Sequence, residues 1–375
     1  MSVTSSPVVG TVRVVGAGLI GASVGLALSR TGVTVLLSDP SPTAAALASD
    51  LGAGRVAGPA DPMPDLVVVA APPDVTAAVV ATELLAWPSA TVTDVASVKG
   101  EILTGVQREL AARGADPGAA DRYVGSHPMA GRERSGAVAA REDLFVGRPW
   151  VIADRDGADA AAVFMVDWLV AAVGASPVRM AADCHDAAVA AVSHAPQVAA
   201  SLVAARLRDL PIEAVSLAGQ GVRDVTRIAE SDPVLWTQIL AGNAESVSQV
   251  LVALQQDLGE VVAALHELAS SGEAAGARAV LARTVAAGQA GRARIPGKHG
   301  AAPTRYGVVT VVVPDEPGRI ARLLTDVGEA GVNLEDLRLE HDLGREVGVV
   351  ELLVVPAVVE SLAQALIALG WKVHV

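Results

Sequence analysis

Along the first 180 residues, short and almost wholly apolar runs alternate with longer stretches whose apolar positions recur at helical spacing. TVRVVG, VTVLLSD, DLVVVAAPP, TVTDVAS and RYVGSHP read as strands, and GASVGLALSRTG, SPTAAALASDLG, DVTAAVVATELLA and KGEILTGVQRELAARG read as the helices between them. Runs such as LVVV within DLVVVAAPP lack a polar alternate position, so both faces of such strands are expected to be covered. Strand and helix in strict alternation predict an α/β domain with a doubly wound parallel sheet. RPWVIAD and SPVRM add two further strands around the helix DAAAVFMVDWLVAAVG, which brings this domain to about residue 180.

Strand signals then stop. Residues 181–290 are alanine-rich and helical, with more apolar character than one buried helix face requires, which predicts an all-α domain that buries surface against a second copy of the chain. The charge-free run AAVAAVSHAPQVAASLVAA, 187–205, has the length of a membrane span, but Ser193, His194, Pro196 and Gln197 interrupt it. A buried helix of a soluble protein is the expectation, with no membrane partner. GRARIPGKHGAAPT, 291–304, gathers Gly, Pro and basic residues and reads as a linker. From 305 to 375 the pattern is β-α-β-β-α-β, the order of a ferredoxin-like unit.

Composition narrows the partners. Aromatic residues make up 2% of the chain, so Val, Ala and Leu must fill the cores. The net charge of −13 argues against nucleic acid, and an anionic ligand would need arginines gathered locally. Cys184 is the single cysteine, which leaves no disulfide framework and no cysteine-based metal site. The beginning of the chain, MSVTSSPVVGT, has no signal-peptide pattern, and a reducing, cytoplasmic setting is expected.

Chemistry concentrates at the ends of the strands. Gly16, Gly18 and Gly21 form G-x-G-x-x-G between the first strand and the first helix, with Ala17, Leu19 and Ile20 completing the loop. Asp39 closes the second strand, where a carboxylate can bond a ribose diol and would repel a 2′-phosphate, so NAD is the expected cofactor. AAPP with Pro72, DVASVKG with Ser97 and Lys99, and GSHPMAG with His127 occupy the carboxyl ends of later strands, the edge at which open α/β sheets bind ligands. Ser97 is suited to cap the following helix, and Lys99 reads as a solvated lysine or an anion contact. In the helical region His194 sits in an otherwise apolar run, suited to a core position or to a substrate site. Arg223 and Arg227, four apart, share a helix face that is either exposed or built for a carboxylate.

With these residues assembled, the chain resembles the prephenate dehydrogenase family in the version that carries a C-terminal ACT domain. VGAGLIGASVGLAL, DVASVKG, GSHPMAGRERSGA, SHAPQ, RDVTRIAESDPVLW, PGKHG and PDEPGRI follow one another in the family's order. The resemblance implies NAD-dependent oxidative decarboxylation of prephenate to 4-hydroxyphenylpyruvate, on the route to tyrosine, by a homodimer joined through its helical domains. It places His127 on the catalytic base and Ser97 on the serine that orients it. His194 and Arg227 fall on substrate positions, with Arg227 at the ring carboxylate and Asp183 as an acid supporting that arginine. Gln197 departs from the pattern, since many relatives carry a second histidine there. In the implied reaction neutral His127 accepts the hydroxyl proton as hydride leaves for NAD, and loss of carbon dioxide then restores aromaticity. The vinylogous carbonyl is the electron sink, so no metal is called for.

Two other functions fit parts of the pattern: an arogenate dehydrogenase, acting on the amino-acid analogue, and a non-catalytic NAD(H)-sensing regulator. The ACT-like segment implies an amino-acid effector, tyrosine first, held near Gly318 and Asn333. Asn333 is expected at the start of a strand. A purely structural role, with the sheet edge serving only to dimerise, is the alternative.

Overall fold

The computed structural model describes residues 9–131, 136–155, 157–271, 275–296, 306–341 and 347–375. Residues 1–8, Arg132 and Arg134 of GRERSG, and the stretch from Gly297 to Thr304, which holds most of the expected linker and the PGKHG segment, lie outside the described residues. The chain forms two compact units, Met1–Gln256 and Asp257–Val375.

The first unit opens with β1 (Thr11–Val15), α1 (Leu19–Ser29), β2 (Thr34–Ser38), α2 (Pro42–Asp50), β3 (Arg55–Val56), β4 (Leu66–Val69) and α3 (Pro73–Ala86). It continues with β5 (Thr91–Asp94), α4 (Gly100–Ala112), β6 (Tyr123–Pro128), β7 (Pro149–Asp154), α5 (Ala160–Ala172) and β8 (Ser176–Ala181). One sheet holds all eight strands in the order β3-β2-β1-β4-β5-β6-β7-β8. β4 shows why its sequence lacks polar alternation: Leu66 and Val68 enter the core on one face, Val67 and Val69 the core on the other, and all four are fully buried.

The expectation of an all-parallel sheet needs correction at one end. Strands β3 to β6 run parallel, but β7 pairs with β6 antiparallel, and β8 then follows β7 in parallel. A parallel return requires a crossover helix. Among the described residues, the connection from Met129 to Arg148 contains only the 3₁₀ turn Ala137–Ala139, so the chain comes back beside the strand it left. The two-residue edge strand β3, exposed at both positions, carries no apolar signal and is not expected from the sequence.

The helices that follow are α6 (Ala182–Val189), α7 (Ala195–Leu207), α8 (Ile212–Val215), α9 (Gln220–Thr226), α10 (Pro233–Gly242) and α11 (Ala244–Ser271). A π turn, Ala190–His194, joins α6 to α7, with Ala195 N–H bonded to the Ala190 carbonyl. Pro196 supplies the cause: it has no N–H for the carbonyl four residues back and needs room above it. The run 187–205 is therefore not one uniformly buried helix. Ala195, Gln197 and Ala200 face inward, whereas Val192, Leu202 and Val203 are exposed. Ile212, Leu217 and Val234 are also left exposed, at 73%, 84% and 68%.

The second unit contains α12 (Ala275–Arg292), β9 (Gly307–Pro314), α13 (Arg319–Glu329), β10 (Asp336–His341), β11 (Val347–Val354), α14 (Val359–Ala368) and β12 (Lys372–His374). Its sheet is antiparallel in the order β10-β11-β9-β12, the ferredoxin-like arrangement. Val309, Val311, Val350 and Leu352 meet Leu323 of α13 and Leu362 and Leu366 of α14 in one core. The Trp371 indole N–H donates to the buried Asp326 carboxylate at 2.7 Å, and Arg322 lies over its ring. Asn333 is not at a strand start, contrary to expectation. Val332 and Leu334 pack against the core, and β10 begins only at Asp336.

Candidate active site

Strand order reverses direction at β1 and β4, so a crevice opens beyond their carboxyl ends. Gly16 there has φ +104°, and a Cβ on it would lie 2.3 Å from the Ala70 carbonyl oxygen. A Cβ on Gly21 would lie 1.9 Å from the Gly16 carbonyl, so these two glycines are required for packing alone. Gly18 differs. Nothing lies within 4 Å of where its Cβ would be, and as the N-cap of α1 it brings no side chain to the first-turn N–H groups. That open, uncapped end fits a pyrophosphate, with Ala17, Leu19 and Ile20 around it. Asp39, just past β2, accepts Ala17 N–H at 2.7 Å and Ser41 N–H at 2.8 Å, which fixes its carboxylate against the glycine loop. Pro72 precedes α3 beyond the end of β4, on the same edge.

His127, near the carboxyl end of β6, stands on this edge as well. Its Nδ1 is 2.9 Å from Nε2 of His185 on α6, and the rings meet edge to face. His185 is fully buried, and its Nδ1 bonds Asp186 Oδ1 at 2.8 Å. The same carboxylate caps α4, accepting Lys99 N–H at 2.9 Å and Gly100 N–H at 2.8 Å. Asn243, buried after α10, donates to the Asp186 carbonyl at 2.7 Å and lies 3.1 Å from Nδ1 of His194. Burial, reinforced by His185, Lys99 and His194, holds His127 well below the usual imidazole pKa. Burial likewise lowers His194 to about 4, against the opposing pull of Asp186. Both imidazoles are therefore neutral at physiological pH. His194 Nε2 is buried and has no hydrogen-bond partner among the described residues.

Several expected residues are placed differently. Ser97 is half-buried in the turn between β5 and α4 but does not cap α4. The N-cap is Lys99, and Asp186 supplies the capping oxygens. Lys99 is not solvated: it is 1% exposed and paired with the fully buried Asp94, which also accepts the Tyr123 hydroxyl at 2.7 Å. Desolvation lowers the Lys99 pKa despite Asp94, and raises Tyr123 well above its ordinary value. Asp94 Oδ1 also accepts Ala96 N–H at 2.9 Å, which braces the Ser97 turn. Asp183 is exposed and bonds Cys184 N–H at 2.8 Å, so the buried acid of this segment is Asp186. Arg227 is exposed, at the start of the 3₁₀ turn Arg227–Ala229. Gln197 is buried and within 3.5 Å of Ser231, tying α7 to the segment just past that turn.

Residues 24–179 match the family profile described as prephenate dehydrogenase, nucleotide-binding domain, and residues 181–274 match prephenate dehydrogenase, dimerization domain. The chain is 37% identical over 368 residues to the probable prephenate dehydrogenase NovF of Streptomyces niveus, covering 97% of this chain and 99% of that one. The chain belongs to the prephenate dehydrogenase family. A prephenate dehydrogenase of Bacillus subtilis is 31% identical over 252 residues, 63% of this chain and 65% of its own. Among solved structures, Aquifex aeolicus prephenate dehydrogenase in complex with hydroxyphenyl propionate and NAD+ superposes with a TM-score of 0.65 at 26% identity, over 77% of this chain and 99% of that chain. Synechocystis arogenate dehydrogenase shares the fold, with a TM-score of 0.59 at 23% identity over 75% and 99% of the two chains.

Within this prephenate dehydrogenase framework, the residues not singled out from the sequence are His185, Asp186 and Asn243. A signal for the first two was present: HD stands eight and nine residues before His194, two to three helical turns away on an apolar helix. Asn243 had no such signal, because only the tertiary fold brings it to His194.

Proposed function

We infer that the chain oxidises and decarboxylates prephenate with NAD, giving 4-hydroxyphenylpyruvate, carbon dioxide and NADH. The observation that carries this reading is a neutral, proton-poor histidine, His127, on the same sheet edge as an open dinucleotide cradle, in a chain that belongs to this family along nearly its full length. NAD, when bound along Gly16–Gly21 with Asp39 at the adenosine ribose, supplies the hydride acceptor. His127 takes the proton of the ring hydroxyl, and Ser97 in the adjacent turn orients hydroxyl and imidazole. His194 presents a hydrogen bond to the substrate, and Arg227 receives the ring carboxylate. Asp183, in the first turn of α6, stays a candidate support for Arg227.

We extend the same reading to assembly and control. The exposed apolar residues of the helical region, within the segment that matches a dimerization domain, support a homodimer. The βαββαβ unit supports an ACT role with tyrosine as effector, Gly318 lying at the start of α13. A cytoplasmic location accords with a biosynthetic enzyme of this class. The deciding experiment is NADH formation with prephenate and with arogenate as separate substrates. Prephenate alone, or strongly preferred, supports the reading. Preference for arogenate replaces it, and no NADH from either leaves a sensor.

A further inference from the structure

Two histidines face the proposed chemistry, and the hydrogen bonds behind them differ in kind. Behind His127 stands an acceptor chain. The Asp186 carboxylate can only accept, so a neutral His185 ring carries its single proton on Nδ1 and a lone pair on Nε2. The 2.9 Å contact then requires His127 Nδ1 to donate, which leaves His127 Nε2 without a proton. Behind His194 stands a donor. The backbone carbonyl of Asp186 can only accept, so the Asn243 amide nitrogen must face it, and the same nitrogen offers its second hydrogen to His194 Nδ1. His194 must then carry its proton on Nε2, the buried atom with no partner among the described residues.

We propose that His185 and Asn243 are positioning residues that set opposite tautomers on the two histidines, so that the resting site presents His127 Nε2 as a proton acceptor and His194 Nε2–H as a hydrogen-bond donor. Both settings originate at Asp186, one through its carboxylate and one through its carbonyl. Such a pair matches a substrate with a hydroxyl to deprotonate beside an oxygen that must be bonded but not protonated. A neutral imidazole has one donor and one acceptor, and a ring free to choose would spend part of its time in the wrong form. The proposal deepens the dehydrogenase reading and rests on it only for its kinetic consequences.

The first test needs no turnover. Histidine-labelled full-length enzyme at pH 8, without substrate, is examined by two-bond 15N–1H correlation, and His127 and His194 are assigned by their loss in His127→Gln and His194→Gln. The expected spectrum has His127 protonated at Nδ1 and His194 at Nε2. Asn243→Asp replaces the donor with an acceptor and should move the His194 proton to Nδ1. Wild-type enzyme with His127 protonated at Nε2, or Asn243→Asp that leaves His194 unchanged, overturns the proposal. The second test is kinetic. His185→Gln keeps an oxygen to accept from His127 and an amide hydrogen for Asp186, so kcat should stay within about threefold of wild type. His185→Leu keeps neither, and kcat should fall by about tenfold or more while NAD affinity moves by less than about twofold. Equal kcat in the two variants, each with an unchanged NAD titration, assigns His185 a packing role and overturns the proposal. Tautomers as stated in an enzyme that produces no NADH from prephenate would instead count against the substrate.

Discussion

Asp186 reaches across 86 residues of chain to cap Gly100: its Oδ2 accepts the Gly100 N–H at 2.8 Å while Oδ1 takes the Lys99 N–H at 2.9 Å. A helix start without its own capping side chain is thus completed by the first helix beyond the sheet. Asp186→Ala removes that cap, worth roughly 0.5–2 kcal/mol, and leaves the buried His185 Nδ1–H unpaired, at roughly 1–3 kcal/mol. Urea unfolding should show a loss of about 1.5–5 kcal/mol, the sum of these two effects. Asp186→Asn, which keeps an acceptor oxygen, should lose less. Equal stability of the alanine variant and wild type would remove Asp186 from this structural role.

His127→Asn should retain NAD binding and lose turnover, because an amide can bond the substrate hydroxyl but cannot take its proton. General-base help is worth about 10²–10⁴-fold, so a fall in kcat of less than about tenfold would deny His127 the part of base. The acid limb of kcat/KM for the wild-type enzyme should lie below the ordinary imidazole value of 6.5, since burial, reinforced by His185, Lys99 and His194, holds His127 down. A limb at or above that value would mean that another group titrates.

How much of this was legible beforehand depended on whether a feature was local. Continuous runs such as LVVV at 66–69 declared a strand buried on both faces, and the glycine loop declared its own turn, because each is dictated within a few residues. Reversal of β7 was not legible, since two good strand signals do not by themselves say in which direction the second one pairs. Lys99 looked like any lysine before a helix. Only the placement of Asp94 and Tyr123 from neighbouring strands explains its burial. Asp183 drew notice over Asp186 through resemblance to the family, although the three-residue step between them puts the second carboxylate beneath α4 and leaves the first in solvent.

Stability should fall between about pH 6.5 and pH 4 through His194. Its folded-state value is lowered from 6.5 to about 4, so over that interval the unfolded chain binds a proton that the folded one refuses. The stabilisation is complete above the unfolded value and is lost as pH falls through the folded one. The difference amounts to roughly 2–3 kcal/mol by pH 4. His194→Gln should flatten this part of the stability curve, measured as urea midpoints from pH 7.5 to 4.5. Parallel curves for the variant and wild type would show that His194 is not the group responsible.

Asp39 should set cofactor choice. Its carboxylate is held on the glycine loop by Ala17 and Ser41 N–H groups, where it can bond a ribose diol and would oppose a 2′-phosphate. The wild-type enzyme should turn over faster with NAD than with NADP at subsaturating cofactor, and Asp39→Ser should narrow the gap. Because Asp39 also braces the loop, the variant should weaken NAD itself. A wild-type preference for NADP would overturn the assignment.

Tyrosine should inhibit the full-length enzyme through the βαββαβ unit. Gly318 precedes α13 with φ +86°, a conformation that costs other residues roughly 1–2 kcal/mol, and a Cβ there would meet nothing within 4 Å. The chain thus holds an open turn at a helix start that glycine adopts without strain, where backbone N–H groups can receive a carboxylate. Inhibition requires tighter binding of tyrosine to the less active arrangement, since equal affinity for both shifts nothing. Gly318→Ala moves the turn away from its left-handed conformation without adding a clash, so it should weaken tyrosine inhibition while uninhibited turnover stays near wild type. A thermal shift with millimolar tyrosine should weaken in parallel. If the wild-type enzyme shows neither inhibition nor a shift, tyrosine is not the effector, and phenylalanine and tryptophan become the next ligands to titrate. Should all three be silent, the unit senses none of these amino acids.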